Sequence, residues 1–291
     1  MKMLIKSNLN YIFFIFFLFL NKNKFFNFLN KKLVEVYLLN NGYYSHSAYR
    51  ITKSHNNLFK GENIFIKNLE KLNIKKFIDI GANIGQYTVE ILKNANTKVI
   101  AFEPIPKCCS KLSIIKKQFD NRFKYFQIAL SNKNKFTKLN YVENKCGYSS
   151  LEKINKISYI KNLKIKKIKI ISKKLDSFGN NEDFKHIDFI KIDTEGHEME
   201  VLKGGYKFLK KNNIKMIQIE FNIHNLLVSS TIYNYSVLLP DYVITQLNPI
   251  NGKLRIINPS DPLSNLFILS NFIFIKKKFF LENKKKLIQN F

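Results

Sequence analysis

Residues 77–92 read FIDIGANIGQYTVEIL. The first four are apolar but for Asp79, the middle carries Gly81 and Gly85, and Tyr87, Val89, Ile91 and Leu92 are the apolar positions of an amphipathic helix. This is a strand, a tight loop and a helix. Glycine suits such a loop because it takes positive φ and lets a ligand approach the backbone. The helix start behind it offers unpaired N–H groups. A nucleotide-like ligand is the expected occupant, and a turn that only packs strand on helix is the plain alternative.

The loop also discriminates among nucleotides. Asn83 stands where the dinucleotide fingerprint needs its second glycine, so the pattern is D-x-G-x-x-x-G. Asp79 would repel a diphosphate and suit an ammonium group, such as that of the methionine moiety of S-adenosylmethionine.

The flanking chain repeats the theme. Ile64–Leu72 reads as a helix leading into the first strand, and Lys98–Phe102 as the second strand, ending in Glu103. An acid about 20 residues past the loop is placed to accept from ribose hydroxyls. A helix from about Lys107 to Phe119 and a third strand, Phe123–Leu130, complete β-α-β-α-β, the pattern of a parallel, doubly wound sheet. Ile187–Asp193 is the fourth strand, followed by a helix stopping at Gly204 and Gly205, and Lys215–Phe221 is the fifth. Asp241–Leu247 and Leu266–Lys276 would add an antiparallel pair, giving about seven strands. Between strands three and four, residues 131–177 form an insertion in which lysines alternate with Ile and Leu, a strand with one wet face. Its polar turn, Gly147–Leu151, is expected to fold over the sheet edge, with Ser149 and Ser150 as candidates for closing the site.

The net charge of +28 suggests an anionic partner until it is dissected. Residues 131–176 hold 13 basic and 3 acidic side chains, whereas residues 177–270 hold 9 and 10. Arginine, favoured in bidentate phosphate recognition, occurs only at Arg50, Arg122 and Arg255. Abundant Lys, Asn, Ile and Phe together read first as the drift of an A+T-rich coding sequence. Three cysteines form no disulfide framework and no zinc spacing, consistent with a cytoplasmic, reducing setting. The apolar run Tyr11–Leu20 is ten residues, about 15 Å as a helix, too short to span a bilayer. Residues 11–37 are expected to form a helix packed on the domain or, alternatively, a surface-lying membrane anchor.

The blocks FIDIGANIGQYT, VIAFEPIP, IALSN, KKLDSF, FIKIDTEGHEMEVLKGG and IQIEFN, spanning residues 72–224 in this order, resemble the FkbM family of S-adenosylmethionine-dependent methyltransferases. The resemblance implies a Rossmann-like class I methyltransferase fold over residues 61–291, behind an N-terminal helical and apolar extension of residues 1–60. It implies methyl transfer to hydroxyls of sugars or small metabolites. Carried over by position, Asp79, Gly81, Asn83 and Gly85 would hold the methionine end of the cofactor, Glu103 its ribose, and Ala129–Asn132 would lie near its adenine.

Methyl transfer needs alignment of the acceptor oxygen and removal of its proton. Asp193, Glu195 and His197, after strand four, are the candidate bases, although acids in a first helical turn are also stabilised by its dipole. Glu220, Asn222 and His224 are the candidate acceptor-side groups. No metal is expected, since no ligand spacing demands one, although Asp193, His197 and Glu220 could gather a divalent cation. A small-molecule or glycan acceptor is the expected partner. The competing readings are an RNA methyltransferase, against which the scarce arginines speak, and a non-catalytic basic membrane-surface protein that keeps the fold.

Overall fold

The structure, a computed structural model, describes Phe28, residues 32–38 and residues 58–289. The apolar run Tyr11–Leu20 lies outside the described residues. Residues 32–38 are helical, and Leu33, Val34, Val36 and Tyr37 there are all more than half exposed.

Helix α1 (Lys60–Leu69) leads into strand β1 (Lys76–Ile80), followed by α2 (Gln86–Leu92), β2 (Lys98–Phe102), α3 (Pro106–Phe119) and β3 (Phe123–Phe126). Later come β7 (Phe189–Ile192), α4 (Glu198–Gly204), α5 (Tyr206–Asn212) and β8 (Met216–Phe221). The chain continues through α6 (Ile223–Leu227), α7 (Ile232–Leu238), β9 (Tyr242–Leu247), β10 (Leu254–Ile256), β11 (Ser270–Lys276) and α8 (Lys277–Gln289). The main sheet runs β10-β9-β11-β8-β7-β1-β2-β3. Strands β3, β2, β1, β7 and β8 pair in parallel, and β11 is antiparallel to both β8 and β9.

Alternation along the strands feeds two apolar layers, as a doubly wound sheet requires. Ile78, Ile80, Ile190, Ile192, Ile217 and Ile219 face Val201, Leu202, Phe208 and Tyr235 of the helices after β7 and β8. Phe77, Phe189, Met216 and Ile273 face Phe65, Tyr87, Ile91 and Leu112 on the opposite side.

The structure corrects two expectations. The third strand leaves the main sheet after Phe126. Residues Ala129–Leu130 (β4) instead pair with β6 (Ile165–Lys173), which also pairs with β5 (Lys135–Val142), so the insertion owns a second sheet of order β4-β6-β5. The eighth strand, β10, has only three residues and too little periodicity to announce itself. Helix α4 ends at Gly204 with Gly205 as its cap residue, as expected, and α5 begins at once at Tyr206. Gly205 sits at φ −111°, outside the left-handed region of a terminating glycine. Gly204 is there for close approach: a Cβ would stand 2.0 Å from the Ser131 carbonyl oxygen.

At the loop after β1, Gly81 is at φ +81° and a Cβ would fall 1.8 Å from the Asp193 carbonyl oxygen, while Gly85 is at φ +84° against Ile115. Gly81 lets the first and fourth core strands end side by side, and Gly85 lets α3 pack against the loop. Replacing Gly81 by Ala should therefore destabilise the fold by roughly 3 kcal/mol or more, read as a lower denaturation midpoint.

Candidate active site

The loop after β1 is tied to the next strand before any ligand is considered. The N–H groups of Gly81 and Ala82 donate to the Phe102 carbonyl (2.9 and 3.2 Å). Glu103 accepts the N–H of Asn83 on Oε2 (2.8 Å) and that of Ile105 on Oε1 (2.9 Å). Burial pushes the Glu103 carboxyl up to about 7, against the pull of those two donors. Asp79 is 1% exposed. Its Oδ2 accepts from Thr88 Oγ1 (2.7 Å), while Oδ1 is a buried side-chain oxygen without a hydrogen-bond partner. Gly81, Asn83 and Glu103 line a cleft that is partly open to solvent, and Asp79 lies outside its lining. The opposite walls come from Ala129 and Leu130, from Gly147, Ser149 and Ser150 of the insertion, and from Asp193, Thr194 and Glu195. Asp79 thus lies beneath the glycine loop, where its charge can favour an ammonium group in the cleft without touching it.

Beside the cleft lies a buried polar network that the sequence reading missed. Register places Lys191 of β7 between Asp79 of β1 and Gln218 of β8. The Lys191 side chain is 8% exposed, its Nζ is 2.7 Å from Asp193 Oδ2, and it stands 5.1 Å from the Tyr87 ring centroid. Burial pulls its pKa down, but Asp193, Asp79 and Glu62 together outweigh that and hold it above the usual lysine value. Gln218 accepts from Tyr87 Oη (2.7 Å) and donates to Glu62 and to Asn271 (both 3.0 Å). A lysine within an IDFIKID strand carries no local signal of this role.

Three carboxylates converge where β7 and β8 end. One oxygen from each of Asp193, Glu195 and Glu220 lies within 4.8 Å of the others. Asn222 Nδ2 donates to Glu220 (3.0 Å) and to Glu195 (3.3 Å). Burial first, and then the Asp193 charge, push both Glu195 and Glu220 well above the ordinary carboxylate range. His224 Nδ1 is 3.0 Å from the Glu195 carbonyl oxygen, which can only accept, so Nδ1 carries the proton. Nε2 is then an acceptor, with Tyr159 Oη at 3.0 Å and Glu195 Oε2 at 3.2 Å. Burial lowers the His224 pKa to about 4, which keeps the ring neutral. Glu195 sits at φ +53° and Gly196 at φ +96°, a turn held by Glu198 Oε1, which accepts the N–H groups of Thr194 and Gly196.

His197 has other partners. Its Nδ1 donates to Glu152 Oε1 (2.6 Å), and Nε2 is 2.9 Å from Ser131 Oγ. Neither nitrogen is hydrogen-bonded to one of the three acids, so the potential cation ligands are Asp193, Glu195 and Glu220, with Glu195 where the sequence reading put His197. Glu152, Ser150 and Tyr159 bring the insertion over the site, with Ser150 Oγ donating to the Glu195 carbonyl (2.7 Å).

The family model described as "Methyltransferase FkbM domain" matches residues 79–226. The methyltransferase sdnD of Sordaria araneosa is 29% identical over 152 residues, which cover 44% of this chain and 59% of that protein. The chain thus spans less than two thirds of that relative's length. Among solved structures, the methyltransferase domain of bacterial CtHen1-CN is similar at a TM-score of 0.40 and 10% identity, covering 74% of this chain and 99% of that one. TrmK of M. capricolum in complex with S-adenosyl-homocysteine has a TM-score of 0.36 and 14% identity, covering 73% of this chain and 67% of that one.

Two outcomes follow from the buried charges. Lys191→Met leaves Asp79, Asp193 and Glu62 without their cation and should cost about 3–5 kcal/mol near neutral pH. The deficit should shrink toward acid pH as the carboxylates protonate, measured by denaturant unfolding across pH. For Glu103 the folded pKa is raised from 4.5 to about 7, so the native state binds its proton more tightly than the unfolded chain does. Stability from this group is therefore lost as pH rises through about 4.5 to 7, and Glu103→Gln should remove that component of the slope.

Proposed function

The chain belongs to the methyltransferase FkbM domain family, and on that premise we propose that it transfers a methyl group from S-adenosylmethionine to a hydroxyl oxygen of a sugar, glycan or small metabolite. The observation that carries this reading is the meeting of Asp193, Glu195 and Glu220 beside a cleft floored by the glycine loop.

S-adenosylmethionine, when bound, supplies a methyl group already activated by a sulfonium. Asp79, Gly81, Asn83 and Gly85 would hold its amino-acid end. The support is the unpaired Asp79 oxygen, which would act from beneath the loop. Glu103, facing the cleft, would take the ribose, and Ala129 and Leu130 would flank the adenine.

The chain's own task is to align an acceptor and accept one proton. Asp193 is suited to the proton because, of the three acids, it has a buried ammonium on one oxygen and lines the cleft. Glu195 and Glu220, pushed toward their protonated forms, can donate hydrogen bonds to the acceptor's oxygens. Asn222 fixes both carboxyls, and His224 holds the Glu195 turn. His197 acts through Glu152 and Ser131, holding the insertion in place.

Asp193→Asn should lower turnover roughly 10²- to 10⁴-fold while S-adenosylhomocysteine affinity stays within several-fold, by calorimetry beside a methyl-label assay. His197→Ala should cost far less. Incubation with methyl-labelled cofactor and pools of glycans, hydroxylated metabolites and RNA tests the acceptor class. Label in the RNA pool alone, or no affinity for S-adenosylhomocysteine, would refute the reading.

A further inference from the structure

The hairpin of β5 and β6 has two chemically different faces. Leu139, Ile168 and Ile170 point inward to the apolar cluster beside the cleft, and Leu139 lines it. On the outer face, register sets Phe136 opposite Ile171 and Lys138 opposite Lys169, with Lys167 and Lys173 on the same side by the two-residue period. Phe136 is 83% exposed, the highest value for a large apolar side chain among the described residues, and Ile171 is 40% exposed.

Like charges directly opposite in a sheet are destabilising, so a lysine-on-lysine pair invites an outside anion. The insertion cannot supply one. Its three acids, against thirteen lysines, are engaged: Glu143 by Lys164 and Lys166, Glu152 by His197, and Asp176 by the N–H of Phe208. Among the described residues, no carboxylate makes an ion pair with Lys138, Lys167, Lys169 or Lys173. Compositional drift is not the explanation, because residues 177–270 of the same chain carry nine basic and ten acidic side chains.

We propose that this outer face docks on an anionic lipid bilayer, with Phe136 and Ile171 entering the interface and the four lysines meeting the headgroups. The two apolar side chains lie side by side on a flat, charged face, as interfacial insertion requires. Ile171 offers no ring for a base, and the insertion contains no arginine, both features that disfavour a nucleic acid. Since the inner face of the same hairpin lines the cleft, docking would bring the site to within roughly a sheet layer, about 10 Å, of the headgroups.

The test is co-sedimentation of the full chain with vesicles of phosphatidylcholine alone or mixed with phosphatidylglycerol, without cofactor, so that its outcome is independent of the methyl-transfer reading. Binding to the anionic vesicles only, weakened by salt, is expected. Each lysine near such a surface multiplies affinity about fivefold, so Lys138→Gln with Lys169→Gln should lower partitioning roughly 30-fold. Phe136→Ser should lower it roughly tenfold. No variant should melt below the wild type, since these side chains are exposed and the double variant removes a like-charge pair. Equal binding to neutral vesicles, undiminished binding by the double variant, or binding to single-stranded RNA without binding to vesicles would each overturn the proposal.

Discussion

A cation inside the sheet is the constraint on which the rest of this site depends. An unpaired buried ammonium costs several kcal/mol, so Lys191 can occupy β7 only if its neighbours answer it. They do so from four directions: Asp193 at the strand's own end, Asp79 on β1, Glu62 on α1, and the face of Tyr87 on α2. One charge thus fixes the approach of two helices and two strands at the sheet's carboxyl edge. That is the edge at which folds of this kind place their ligands. Asp193 is presented to the cleft with one oxygen engaged, while Glu195 and Glu220, lacking such a partner, are driven toward their protonated forms.

The insertion completes the site by contact rather than by contributing a strand to the main sheet. Three of its side chains reach across: Glu152 to His197, Ser150 to the Glu195 carbonyl, and Tyr159 to His224. Each bond spans more than forty residues of sequence. Ser150 Oγ and His224 Nδ1 both donate to the Glu195 carbonyl and so hold the left-handed turn at Glu195 and Gly196, which packs closely enough on His224 that a β-carbon at Gly196 would stand 3.0 Å from it. The same insertion turns its other face outward as a lysine-lined patch around Phe136, so one element closes the cleft and defines the surface beside it.

What could be read from the chain alone was local. The glycine spacing of residues 81–85, the apolar runs of β1, β2, β7 and β8, and the helix after β2 all follow from φ preference and periodicity within a few residues. Those features delivered the doubly wound sheet and the position of the cleft. They also placed Asp193, Glu195, Glu220 and Asn222 at neighbouring strand ends, which is where they meet. The third strand was read too long because Ala129 and Leu130 are as apolar as what precedes them, and apolarity does not say which sheet takes the hydrogen bonds.

The sequence therefore determined the order of strands and helices, the glycine turn and the acids near it, since each is dictated by neighbours along the chain. Only the tertiary structure decided that Asp79 lies beneath the loop with one oxygen unpaired, that His197 holds Glu152 rather than joining the acids, and that Lys191 is the counter-ion of the site. The physical reason is that a polar side chain's role is set by what shares its burial. Partners such as Tyr87 and Gln218, 131 residues apart, become neighbours only when the sheet is assembled.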